Sequence, residues 1–182
     1  MNRKIFLKKS TLATGGLFVN GLSFAGQGNF PEVRTPVNQR NFISPAVEAV
    51  IKEVQQNIGN KEIGWLFNNC FPNTLDTTID YEVINGKPDT FVITGDIDAM
   101  WLRDSSAQVW PYLLLVNKDD KLKKLIQGVL NRQAIFIQHD PYANAFYKDV
   151  KNESEWLKSD YPPLKAGVHE RKWEIDSLCY PI

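Results

Sequence analysis

Cysteine, histidine and methionine are scarce, two of each in 182 residues. Two cysteines, Cys70 and Cys179, exclude a scaffold stapled by several disulfides. Both fall in apolar, helical-looking runs, where a free thiol behaves as a small buried hydrophobe, and whether they pair is left open. Two histidines, His139 and His169, argue against a metal site, because zinc wants three or four ligands at recognisable spacing. An excess of charge of one sign is also lacking. Lys and Arg number 21, Asp and Glu 21, and the formal net charge is zero. No basic patch or acidic tail therefore marks nucleic acid or an anionic surface as partner. No apolar run is long enough to anchor the chain across a bilayer.

What is present is an ordinary globular composition, 43% apolar, with 12% aromatic residues that include five tryptophans. The length suggests one domain with a real core, and the aromatics fit a thick core or a carbohydrate site. The first residues read as an export signal over 1–25. Arg3, Lys4, Lys8 and Lys9 form a positive region, Leu12 to Leu22 a short apolar stretch, and Ser23-Phe24-Ala25 a small-x-small cleavage signal. Asn2-Arg3-Lys4-Ile5-Phe6-Leu7-Lys8 resembles a twin-arginine motif with Lys4 in place of the second arginine, so the export route stays open. Residues 26–43 carry Gly, Pro, Asn and Gln without periodicity and read as a linker.

From residue 44 the pattern is helical. Ser44 is placed as an N-cap with Pro45 at the first helical position, and Val47, Val50, Ile51, Val54 and Ile58 share a face. Ile63, Leu66, Phe67, Cys70 and Phe71 repeat the helical period until Pro72 interrupts it. Tyr81 to Ile84, the turn Asn85-Gly86 and Thr90 to Thr94 read as a β-hairpin. Val109 to Val116 predicts a nearly all-apolar, buried inner helix. Asp119 or Asp120 then caps a longer amphipathic helix through Ile137. Outer amphipathic helices alternating with inner apolar ones imply helical hairpins stacked in two layers, an all-α fold.

Between the hairpin and the apolar run lies a charged knot, Thr94 to Ser106, with Asp96, Asp98, Asp104, Arg103 and Trp101. Unpaired buried charge costs several kcal/mol, so these groups must be solvated, paired or used on a ligand. An Arg-Asp pair grips vicinal hydroxyls in fork fashion, and an indole offers an apolar face to a pyranose. The same pair also serves as a brace at a helix N-terminus with Trp101 in the core. His139 to Phe146, with Tyr142 and Asn144, is either a loop anchored by aromatics or a second cleft wall. Glu170 to Tyr180 starts another helix, with acidic residues on the face of Trp173.

Four segments carry a family resemblance in register. Phe91-Val92-Ile93-Thr94-Gly95-Asp96-Ile97-Asp98-Ala99-Met100-Trp101-Leu102-Arg103-Asp104-Ser105 resembles the signature of glycoside hydrolase family 125, the exo-acting α-1,6-mannosidases. Phe67 to Thr78, Asp140 to Phe146 and Glu170 to Pro181 are similar to the family in the same order. The resemblance implies part of an (α/α)6 toroid of the six-hairpin glycosidase type, with residues 44–182 as its N-terminal portion and the hairpin near the active-site loop. It implies an inverting mechanism without metal or cofactor and a mannose-containing oligosaccharide as substrate. By similarity to Arg-Asp pairs of related toroids, Arg103 and Asp104 would hold the terminal mannose and Trp101 would form a wall, with Asp96, Tyr142, Asn144 and Asp176 as further candidates. The family's general acid and base lie in segments absent here and are expected C-terminal of Ile182. Asp98 or Asp104 as an acid with Glu174 as its partner runs against the family's layout. The alternatives are an exported carbohydrate-binding fragment, or a helical scaffold braced by Arg103 and Asp104. The expected location is the bacterial periplasm or the extracellular space.

Overall fold

The structure, a computed structural model, describes residues 30–172 and 174–182. The expected export segment and Trp173 lie outside the described residues. The chain divides into two compact units, Met1–Glu32 and Val33–Ile182. In the first, the described residues 30–32 form no regular element.

The second unit starts earlier than the composition suggests. Arg34 reaches Glu48 at 2.5 Å and Asp76 at 2.7 Å, and Arg40 stands 3.5 and 3.7 Å from the same two acids. The backbone N–H groups of Asn41 and Phe42 donate to Asp76 and Leu75, each at 3.0 Å. Burial opposes the Arg34 charge, but the hydrogen bonds to Glu48 and Asp76 prevail and raise its pKa. The bond from Arg34 in turn holds Glu48 below the usual carboxylate range. Residues 33–43, read as linker, are thus a strap tied down by two arginines. A count of Gly, Pro and Gln cannot reveal their distant partners.

Helix α1, Pro45–Asn57, starts as its sequence demands: Ser44 Oγ accepts the Val47 N–H at 3.3 Å with Pro45 next in line. Asn60 caps α2, Lys61–Cys70, through the N–H groups of Glu62 and Ile63 at 2.9 and 3.2 Å. Phe67 stacks on Phe71 with ring centroids 4.7 Å apart, and Phe71 meets Tyr112. Ile63 and Leu66, on the predicted stripe, are exposed. Cys70 is exposed at the end of its helix, and Cys179 is also exposed, so neither is the buried hydrophobe expected.

A π-helical turn, Thr74–Thr78, leads into the hairpin of β1, Ile79–Ile84, and β2, Lys87–Val92. Ile84 faces Lys87 across a two-residue loop in which Asn85 and Gly86 take φ of 50° and 78°. Positive φ at both positions is what the Asn-Gly pair favours. The long helix after Asp119 lies against β2, and Gly128 permits the approach. A Cβ there would stand 2.3 Å from Thr90 Oγ1 and 2.9 Å from the backbone of Asp89 and Thr90.

Two expectations need correcting. The fold is helix-rich with the expected hairpin, but among the described residues it also has a second small sheet, which the all-α reading did not include. The unforeseen one joins β3, Met100–Trp101, β4, Ala145–Phe146, and β5, Val168–Glu170, in antiparallel pairs. Strands of two or three residues carry too little alternation to be seen in sequence. The predicted inner helix is the second. Helix α3 is Leu102–Val109, starting inside the charged knot, and Trp110–Leu115 follows as a 3-10 stretch. Tyr112 and Leu115 are buried, but Trp110 is 68% and Leu114 89% exposed, because no described element covers that side. The amphipathic helix α4, Asp120–His139, is capped by Asp119 through the Lys121 and Leu122 N–H groups. A short helix, α5, Ile175–Cys179, closes the order. No described helix is long and apolar enough to cross a membrane.

Gly128→Ala weighs a gain of about 1 kcal/mol in helix propensity against a clash with β2 backbone costing about 1–3 kcal/mol. The rigid partner decides the sign: urea unfolding is expected to show a less stable protein. Arg34→Ala leaves the carboxylate of Asp76, 3% exposed, with Arg40 at 3.7 Å as its remaining ion pair among the described residues. The same titration should register a loss of about 3 kcal/mol.

Candidate functional site

The charged knot folds into a clamp built from four short stretches. After Gly95, at φ of 113°, the chain turns so that the Thr94 N–H meets the Ala99 carbonyl at 3.0 Å. It then runs as β3 straight into α3, with Trp101 as the residue before the first turn and no side-chain cap. Arg103 and Asp104 therefore project from a helix start that a sheet holds in place. The Leu102 N–H donates to the Asn144 carbonyl at 3.0 Å, tying that start to the residue preceding β4.

Arg103 Nη1 lies 3.0 Å from Asp176 and 3.3 Å from Glu174, and its Nη2 lies 3.2 Å from Asp104 Oδ2. The side chains of Arg103, Asp104 and Glu174 are about a third exposed, at 33%, 32% and 33%, which leaves them open to a ligand. Asp104 Oδ2 is itself shielded from solvent and receives no hydrogen bond, so beyond its ionic contact it has acceptor capacity to spare. The hydrogen bond to Asp176, then the charges of Asp104, Asp176 and Glu174, raise the Arg103 pKa against partial burial. The Ser177 N–H and then Arg103 hold Asp176 below the usual carboxylate range.

Behind the clamp sits Asn144, fully buried. Its Nδ2 donates to Glu170 at 2.5 Å and Glu174 at 3.1 Å, and its Oδ1 accepts the Lys172 N–H at 2.9 Å. The Ser177 hydroxyl donates to the same Glu174 oxygen at 2.9 Å. Glu174 Oε2 thus receives Arg103, Asn144 and Ser177, and its orientation is set from three sides. Charge-assisted donors and acceptors alternating on such a surface suit a polyhydroxylated ligand.

Arg103, Asp104, Asn144 and Asp176, all singled out in sequence, are brought together. Trp101 is placed differently from an open wall: it is 7% exposed and meets His169 edge-on at 4.9 Å. Asp96 is exposed on the turn, with no hydrogen bond or ion pair among the described residues. Tyr142 is 60% exposed and lies beneath the Arg171 guanidinium at 5.8 Å, outside the clamp. Sequence reasoning passed over Glu170 and Ser177 and weighed Glu174 only as a catalytic partner. Their signal is the run of acids and hydroxyls from Glu170 to Ser177, whose role depends on where Arg103 stands.

Arginine set among carboxylates beside a buried amide is a surface of the kind that carbohydrate-active proteins present. Residues 60–182 match the metal-independent α-mannosidases, GH125, and the chain belongs to that family. It is 39% identical over 163 residues to the meiotically up-regulated gene 157 protein of Schizosaccharomyces pombe, covering 85% of this chain and 32% of that protein. A solved Streptococcus pneumoniae structure, of a family of metal-independent α-mannosidases and in non-productive complex with α-1,6-mannobiose, is 38% identical, with a TM-score of 0.68. That match covers 78% of this chain and 32% of the other. The chain therefore spans about a third of the length of these relatives.

Asn144→Ala strands the Lys172 N–H and takes a donor from Glu170 and Glu174, so thermal unfolding should show a loss of about 2–3 kcal/mol. Asn144→Asp sets a third carboxylate beside those two. Repulsion raises the new group's pKa above its unfolded value, so its cost is largest at neutral pH. Melting temperatures measured at pH 7 and pH 5 should show Asn144→Asp regaining stability at the lower pH relative to Asn144→Ala.

Proposed function

We propose that this chain supplies the mannose-gripping portion of an exo-acting α-1,6-mannosidase that trims mannosides or N-glycan-type oligosaccharides with inversion. The observation that carries the reading is the Arg103 clamp, with the part-exposed Asp104 and Glu174 beside it, in a chain of the GH125 family. Arg103 and Asp104 take vicinal hydroxyls of the terminal mannose in this reading, and Glu174 and Asp176 fix the guanidinium by pairing with it. The α-1,6-mannobiose held by the Streptococcus pneumoniae relative supports the linkage proposed here.

Asp176 in the clamp is suited to holding Arg103 rather than to giving up a proton. A general acid must keep its proton near neutral pH, whereas Asp176 is held ionised by Ser177 and Arg103. The catalytic acid and base are therefore proposed to lie in parts of the longer family members that this chain does not span. An inverting pair would stand roughly 6.5–9.5 Å apart across the scissile bond to admit a water. The same reasoning extends to architecture. Trp110 and Leu114, apolar yet exposed, are the kind of face that further hairpins of an (α/α)6 toroid would cover. The basic and apolar first residues support export, to the periplasm or beyond the cell.

Isothermal titration of the chain with α-1,6-mannobiose tests the reading. Binding is expected for the wild type, and Arg103→Ala should weaken it by a factor of about ten or more, as loss of a charged hydrogen bond does. Equal affinity in the variant would remove the clamp from the binding site. Binding by an assembled full-length enzyme without release of mannose would instead favour a non-catalytic carbohydrate-binding protein.

A further inference from the structure

Strand β5 carries one residue too many for its partner. Ala145 pairs with Glu170 and Phe146 with Val168, so one step along β4 matches two along β5, and His169 is the residue left over. Bulges of this sort are frequent beside active sites, where they re-aim a side chain. Here the imidazole is turned among aromatic rings. It meets Trp101 at 4.9 Å and 71° and Tyr147 at 4.9 Å and 82°, and Nδ1 lies 2.7 Å from the Tyr147 hydroxyl. The residue is 6% exposed, and its carbonyl accepts a hydrogen bond from the Ser154 hydroxyl.

His169 makes no bond to the Arg103 clamp, yet it touches both ends of what positions it. Trp101, against its ring, is the residue from which α3 starts, two before Arg103. Glu170, its neighbour on β5, holds Asn144, and Asn144 holds Glu174. We propose that His169 is a positioning residue for the mannoside site: as a neutral imidazole in the β5 bulge it seats Trp101 and Glu170, and protonation unseats them and misaims Arg103. This rests on the mannoside reading of the clamp.

The groups that act on His169 are Glu170 on its own strand, Glu155 from the excursion before β5, and the Tyr147 phenol following β4. Burial opposes the imidazolium and outweighs the pull of Glu170 and then Glu155, so the pKa falls below that of a free histidine. Tyr147 is itself raised, first by burial and then by Glu155 and Asp98, and stays protonated across the range that matters. With the folded value depressed, the unfolded chain takes up its proton first, at about pH 6.5. The seat is therefore intact above that pH and is lost as pH falls through the lower folded value.

The chain has two histidines, buried His169 and exposed His139, so the ring signals to be told apart are few. Their ring C–H resonances are followed by NMR from pH 8 to pH 4, together with the Trp101 indole N–H and the affinity for α-1,6-mannobiose. His169→Gln assigns the resonance and supplies a neutral replacement. We expect His169 to titrate below the value of a free histidine and the Trp101 resonance to move at the His169 midpoint. Mannobiose affinity should fall about tenfold across that midpoint, the effect of one unit of pKa difference between free and bound forms. The fall should be absent in His169→Gln. An unchanged pH profile in His169→Gln, or a Trp101 resonance indifferent to the His169 midpoint, overturns the proposal. If the wild type binds no mannobiose at any pH, the mannoside reading fails by itself, and the Trp101 resonance still judges the seat. Arg103→Ala separates the two, since it should weaken binding about tenfold or more and leave the coupling of His169 to Trp101 in place. If His169→Gln does not fold, the wild-type resonances decide.

Discussion

The amide of Asn144 is the interaction on which the candidate site depends. It is fully buried, and an unsatisfied amide in that position costs free energy outright, so each of its polar atoms is matched to a defined partner. The residue thereby joins the end of β5 and the segment before α5 through its side chain and, through its backbone carbonyl, the start of α3. None of these stretches is rigid by itself, since β4 has two residues, β5 three and α5 five. Elements so short cannot hold a geometry through their own ladders. A shared buried hub lets them hold one another.

The hub needs a base that does not move, and the packing of α4 on the hairpin provides it. Thr90 Oγ1 donates to the Leu125 carbonyl at 2.8 Å, Arg132 pairs with Asp89 at 2.7 Å, and Phe136 stacks on Phe146 at 4.4 Å. Those contacts carry the rigidity of a 20-residue helix into both small sheets. The charged residues can then sit at the rim of a packed core, where they are shielded enough to interact strongly and open enough to meet a ligand. The strap at Arg34 works on the same logic, with two guanidiniums shared among two carboxylates.

Much of this was legible wherever the physics is local. Ser44-Pro45, Asn85-Gly86 and the apolar positions of α1 and α4 report caps, turns and faces through rules that reach a few residues along the chain. The charged knot stood out because charges between apolar segments require an explanation, and part of that explanation is the ion pairing of Arg103. Three features were out of reach for the opposite reason. The β3–β4–β5 sheet joins residues 101, 145 and 170, each in a run too short to show a period. Trp101 reads equally as a wall or as core until His169 and Tyr147 are found against it. The Trp110 and Leu114 face looks like a buried helix because apolarity records what a surface would bury, and not which element comes to cover it.

By itself, then, the sequence determined the local elements, the family and the residue types at the site, because caps, turns, periodicity and motifs are written within short windows. Only the tertiary structure decided which acids meet Arg103. The difference between Asp96, left on an exposed turn, and Asp176, drawn in from 73 residues away at 3.0 Å, is one of distance in space. Electrostatic and hydrogen-bond energies depend on that distance and are indifferent to separation along the chain.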